Sequence, residues 1–136
     1  MFEPLLYYST NLKAEPVPFK EALLKGLAPD GGLYMPVKIP VCTLDQIGEF
    51  SDMEYYEIAF HISKLFLSGQ IENFELLNLV KDAYNYTVPL EHVYQRKYIM
   101  RLDQGPTASF KDFAARMMGR LLHYYMKREK TLNFPK

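Results

Sequence analysis

Residues 110–125 carry the feature that most limits how this chain can fold. Phe110, Phe113, Ala114, Met117, Met118, Leu121, Leu122 and Tyr125 recur at i, i+3 and i+4. That spacing places apolar side chains on one stripe of an α-helix and demands a surface to bury it. Ahead of the helix, Tyr98-Ile99-Met100-Arg101-Leu102 reads as a short strand bounded by the turn residues Asp103-Gln104-Gly105-Pro106. Ser109 with Asp112 forms an S-x-x-D capping pattern, so the helix is expected to open there. Asp112, Arg116, Arg120, His123 and Lys127 fall on the opposite, solvated face. Two outcomes are expected for the stripe: it folds back on the preceding helices, or two copies of the chain pair through it as a symmetric dimer.

Lys111 falls at the edge of this stripe, in the first helical turn. Partial burial and the positive end of the helix dipole both disfavour an ammonium there. Together they favour the neutral amine that forms Schiff bases. The alternative reading is a lysine whose stem follows the apolar surface while its charge reaches water.

The segment Gly105-Pro106-Thr107-Ala108-Ser109-Phe110-Lys111-Asp112-Phe113-Ala114-Ala115-Arg116 resembles the cofactor-attachment segment of threonine synthase, a pyridoxal-phosphate enzyme. The long form, with an extra N-terminal region, is the nearer match. Tyr7-Tyr8-Ser9-Thr10-Asn11 is similar to that region, and so is the block running from Phe19-Lys20-Glu21-Ala22-Leu23-Leu24-Lys25-Gly26 through Leu27-Ala28-Pro29-Asp30-Gly31-Gly32-Leu33-Tyr34-Met35-Pro36. The blocks stand in the right order over essentially the whole chain. The resemblance implies pyridoxal 5'-phosphate as cofactor, with Lys111 as both its covalent attachment point and the catalytic base. It implies O-phospho-L-homoserine as substrate, converted with water to L-threonine and phosphate by a carbon–oxygen lyase. Thr107 and Ser109 lie near the same helix start; capping and turn-making are their expected roles, with a cofactor or phosphate contact as the alternative.

Composition adds bounds. Apolar residues make up 49% and charged residues 24% of the 136 residues, ordinary for a water-soluble globular chain. No apolar run is long enough to span a membrane, and no basic region followed by an apolar core marks the start, so a cytoplasmic protein is expected. The single cysteine, Cys42, fits a reducing compartment and reads as a small apolar residue. The net charge of zero is unevenly spread. Residues 1–90 hold 6 Lys/Arg and 12 Asp/Glu, a balance of −6; residues 91–136 hold 10 and 4, a balance of +6. A basic half can serve nucleic acid, attraction between the halves, or anionic ligands. With no nucleic-acid motif present, a nucleic-acid partner is not expected.

Along the chain, Leu5-Leu6-Tyr7-Tyr8 reads as a strand. Pro18 opens a helix that Gly26 ends, and Pro29-Asp30-Gly31-Gly32 is a turn. Leu33-Tyr34-Met35 is extended before Pro36. Thr43-Leu44-Asp45-Gln46 and Ser51-Asp52-Met53-Glu54 are capping boxes for a brief and a longer helix. The longer helix is expected to bury Tyr55, Ile58, Ala59, Ile62, Leu65 and Phe66 and to end at Gly69. Asn73 caps a third helix with Leu76, Leu77, Val80, Ala83 and Tyr84 on one face. His61, His92 and His123 lack ligand spacing, so no metal site is expected. Neither a nucleophile elbow nor a phosphate-binding P-loop is present.

The expected fold is α/β: the N-terminal fragment of a fold-type II pyridoxal-phosphate enzyme, mainly helical with short strands. Residues 1–95 form the N-terminal region and 96–136 the incomplete start of the cofactor domain. The parts that hold the cofactor's phosphate and ring in the family are expected beyond Lys136. The isolated chain is therefore expected to be inactive. A threonine-synthase-like phospholyase, another pyridoxal lyase or dehydratase of the same fold type, and a non-catalytic helical interaction module are the alternatives.

Overall fold

The computed structural model describes residues 4–67 and 69–132, with side chains described through Glu129. The chain opens on a small antiparallel sheet of order β2-β1-β3, built from β1 (Leu6–Ser9), β2 (Val17–Pro18) and β3 (Tyr34–Pro36). Tyr7 pairs with Val17 on one side and Pro36 on the other. Both prolines sit on edge strands, where a missing N–H breaks no ladder bond. Alternation along β1 buries Tyr7 and Ser9. α1 (Phe19–Lys25) follows Pro18 directly and ends at Gly26, whose φ is 73°. The turn at residues 29–32 is fastened by Asp30. Its carboxylate accepts from the buried Ser9 hydroxyl at 2.6 Å and from the N–H groups of Gly32 and Lys13, each at 3.0 Å. The Ser9 hydroxyl is the main cause of a lowered Asp30 pKa. A Cβ on Gly32 would stand 2.1 Å from Ser9 Oγ, so only glycine fits.

The helices follow. α2 (Leu44–Glu49) starts with the expected capping box between Thr43 and Gln46. A 3-10 turn, Phe50–Asp52, separates it from α3 (Tyr55–Leu67). The second expected box does not form. Ser51 donates to the Gly48 carbonyl, and the start of α3 is closed by Glu57, whose carboxylate accepts from the Glu54 N–H at 2.8 Å. α4 (Asn73–Ala83) has Glu72 rather than Asn73 at its N-cap position, without a side-chain cap. Leu67, Ile71, Leu76, Val80 and Ala83 join Met117, Leu121 and Tyr125 in one buried cluster, with Tyr56, Ala59, Phe60 and Phe66 packed against it. Of the side chains expected inside on α3, Ala59 and Phe66 pack against this cluster, joined by Tyr56 and Phe60, while Ile62 is exposed.

α5 (Asp112–Leu132) runs back across α4. The folded-back outcome therefore holds for one edge of its stripe, where Met117, Leu121 and Tyr125 are buried. The other edge is uncovered: Met118 is 51% exposed and Phe110 68%. Opposite charges align along the contact. Arg120 pairs with Asp82 at 2.6 Å, Arg128 with Glu75 at 2.8 Å, and Lys20 reaches Glu129 at 3.0 Å. The helix continues through Thr131 and Leu132; residues 133–136 lie outside the described residues.

The strand expected over residues 98–102 is β5 (Lys97–Met100), and it has a partner the sequence reading lacked, β4 (Leu90–Tyr94). The two form an antiparallel hairpin with a register shift between His92 and Tyr94. Gln95 takes φ 51° in the turn, an uncommon conformation for a residue with a Cβ. Every residue of both strands is exposed. No described helix is long and apolar enough to cross a membrane.

Candidate functional site

The site is the loop at residues 105–111, slung between the hairpin and α5. Its entry is fixed by Arg101, whose N–H donates to the Pro89 carbonyl at 2.9 Å. The Arg101 guanidinium forks onto Asp103 at 2.9 and 2.7 Å and reaches Glu91 at 2.7 Å. This fork holds the Asp103 carboxyl well below the usual carboxylate range.

Its exit is fixed by α4. Arg116 donates to the Ala83 carbonyl at 2.7 Å, to the Asp82 carbonyl at 3.0 Å and to Asn85 Oδ1 at 2.9 Å. It thereby satisfies carbonyls that the end of α4 leaves unpaired. Behind the first turn of α5 stands an aromatic wall. The Phe113 ring meets Tyr55 and Tyr86 edge-on at 5.6 and 5.4 Å, and the Tyr84 hydroxyl donates to the Phe113 carbonyl at 2.9 Å. Burial pushes the Tyr84 hydroxyl up to about 12. It also raises Tyr86, with the Asp112 charge adding to the effect. Among the described residues the Tyr86 hydroxyl is buried without a hydrogen-bond partner.

Within the loop, the Ala108 N–H donates to the Gly105 carbonyl and the Asp112 N–H to the Ser109 carbonyl, each at 3.0 Å. Ala108 takes φ 52°. α5 begins at Asp112, so Lys111 is a turn residue just outside the helix and is exposed. The expectation of a partly buried Lys111 at the rim of the stripe is therefore corrected: the side chain that goes inside is Asp112, 5% exposed. Among the described residues the Lys111 ammonium has no hydrogen-bond or ionic partner.

Asp112 was expected on the solvated face. Instead its carboxylate turns back into the loop, accepting from the Thr107 N–H and the Thr107 hydroxyl, each at 2.9 Å. Gly105 lies against it so closely that an added Cβ would come within 2.4 Å of Oδ2. Thr107 and Ser109 make the turn, as favoured from sequence; the Ser109 hydroxyl accepts from the Lys111 N–H at 3.3 Å. The S-x-x-D spacing marks Asp112 as structural but assigns it to helix capping. The signal for its real partner is the glycine and the hydroxyl five to seven residues upstream. Of the solvated set, Arg116 and Arg120 also turn onto α4, while His123 is exposed.

A family model described as "Threonine synthase N terminus" matches residues 6–84. The threonine synthase of Pseudomonas aeruginosa is 34% identical over 125 residues, covering 88% of this chain and 27% of that protein. Threonine synthase-like 2 of Xenopus laevis is 33% identical over 129 residues, covering 90% of this chain and 27% of that protein. The crystal structure of PLP-bound threonine synthase from Brucella melitensis matches with a TM-score of 0.88 at 32% identity, over 93% of this chain and 28% of that one. The chain thus spans about a quarter of the length of the curated relatives it matches. With residues 6–84 of its 136 matched, more than half, the chain belongs to the threonine synthase N-terminus family.

Proposed function

We propose that this chain is the N-terminal portion of a pyridoxal-phosphate-dependent threonine synthase, converting O-phospho-L-homoserine and water to L-threonine and phosphate. The observation that carries the reading is the Lys111 loop: an uncommitted primary amine held at the head of a long helix, in a chain whose backbone follows that of a PLP-bound threonine synthase. The residues fit the cofactor at its aldehyde end, since Lys111 offers an amine that no other described side chain engages. When bound, pyridoxal phosphate supplies an electron sink for a carbanion at the substrate's α-carbon. Lys111 would hold the cofactor through Nζ. Once displaced by substrate, the same Nζ would take and return protons at the α- and β-carbons. The loop's hydrogen bonds hold the backbone from which that nitrogen extends.

Residues 1–95 are the N-terminal region in this reading and 96–136 open the cofactor domain, with the hairpin turn at Gln95 as the joint. The rest of the synthase fold covers the exposed hairpin and the bare edge of α5; in the isolated chain a second copy takes its place. The isolated chain holds the cofactor weakly and makes no threonine. The similarity to a threonine synthase-like protein favours a second reading, a phospholyase that releases phosphate from a related substrate.

The test is made on the complete synthase. Lys111→Ala and Lys111→Arg are both expected to abolish bound-cofactor absorbance and threonine formation, because a guanidinium stays protonated. Borohydride reduction followed by peptide mapping should place the cofactor on Lys111. Recovery on another lysine overturns the assignment, and phosphate release without threonine selects the phospholyase.

A further inference from the structure

We propose that Asp112 is the positioning residue for Lys111, acting through Thr107; the proposal rests on the assignment of Lys111 given above. The Lys111 side chain has no described partner of its own, so what the protein fixes is the backbone from which its amine extends. That backbone is held by a ring of contacts closing on the Asp112 carboxylate. The Thr107 N–H and hydroxyl both donate to it at 2.9 Å, Gly105 packs against it without room for a Cβ, and the Asp112 N–H returns to the Ser109 carbonyl at 3.0 Å.

An aspartate at the head of a helix normally gains from the dipole while facing water. Asp112 is instead 5% exposed. Burying a carboxylate is unfavourable unless hydrogen bonds replace its water. Here the bonds to a described partner come from one loop residue, Thr107, rather than from the amides of its own helix. The cost of burial is thus offset by contacts whose structural effect is to close the loop that carries Lys111. The helix itself does not need them, because Arg116 already fastens it to the end of α4 and the Phe113 ring packs against Tyr55 of α3 and Tyr86.

Two arms test this. In the chain without cofactor, Asp112→Asn and Thr107→Val should each speed amide hydrogen exchange at Thr107 and Lys111 about tenfold, because the loop opens locally while the core does not. Amides of Leu76 and Val80 should be unchanged, and Thr107→Ser, which keeps the hydroxyl, should behave as the parent. In the complete synthase, Asp112→Asn and Thr107→Val should keep the cofactor on Lys111, shift its absorbance and lower kcat with KM unchanged; Thr107→Ser should restore both. Thr107 is on the surface, so Thr107→Val remains informative if Asp112→Asn does not fold. Unchanged loop exchange in Thr107→Val overturns the proposal. Raised exchange with parental absorbance and kcat overturns it as well. Cofactor found on another lysine in the parent enzyme instead overturns the assignment of Lys111, while the exchange arm still decides whether Asp112 closes the loop.

Discussion

Leu76 and Val80 are 1% and 0% exposed, and both face the cluster that joins α3, α4 and α5. Leu76→Ala should cost about 2–5 kcal/mol, because the surrounding helices cannot fully collapse into the space. Leu44→Ala, at a side chain 86% exposed, should stay within about 0.5 kcal/mol. Urea unfolding followed by circular dichroism measures both. Gly105 is sensitive for a different reason: a Cβ there would sit 2.4–2.9 Å from atoms of Asp112. Gly105→Ala should lower stability by about 1–3 kcal/mol, the usual cost of an overpacked site, and should loosen the Lys111 loop with it.

At the scale of elements, α4 and α5 are joined by one arginine more than by their ion pairs. Arg116 bridges the Ala83 and Asp82 carbonyls and the Asn85 side chain, and its guanidinium lies 5.8 Å from the Tyr86 ring. Arg116→Ala should lower stability by about 1–3 kcal/mol, since the α4 carbonyls lose a charged donor. Arg116→Lys should not restore it, because an ammonium cannot reproduce the planar fork. The Arg128–Glu75 pair is largely solvent-exposed, so raising the salt concentration should change the unfolding midpoint little. A strong salt dependence would reverse this ranking.

For the whole molecule, eleven tyrosines replace the absent tryptophan, and burial separates them. Tyr7, Tyr84 and Tyr124 are each raised from 10.0 to about 12, with burial the largest cause in all three. A folded-state value above the unfolded one gives stability that is complete below the unfolded value and lost as pH rises through the folded one. Melting temperature should therefore hold up to about pH 10 and fall between about pH 10 and 12, with late ionisation of these tyrosines visible in ultraviolet absorbance. A flat profile across that window would contradict their burial. Met118 on the bare edge of α5, Phe110 just ahead of it, and Tyr98 and Met100 on the hairpin are all exposed. Sedimentation equilibrium of the isolated chain should show mass rising with concentration, suppressed by Met118→Lys; a strict monomer at all concentrations would count against pairing through that face.

What the sequence determined by itself was local. The capping box at Thr43, the start of α1 after Pro18 and its end at Gly26 each depend on residues within a few positions of one another, as do the backbone hydrogen bonds of the turn at residues 29–32, which Ser9 and Lys13 then fasten from farther along the chain. Periodicity likewise marked α5 as a long amphipathic helix. Tertiary structure decided what depends on distant neighbours. Met117 and Leu121 turn into the cluster with α4, while Met118, one position round the helix, is left bare. Carbonyls at the end of α4 draw Arg116 off the solvated face. The hairpin partner of β5 was hidden because its turn uses Gln95 at positive φ, where no Asn-Gly or Asp-Gly signal stands. Asp112 shows the division most clearly. Its spacing from Ser109 announces a helix start, yet only the folded loop, with Gly105 cleared of a side chain and Thr107 brought alongside, turns its carboxylate inward and Lys111 out.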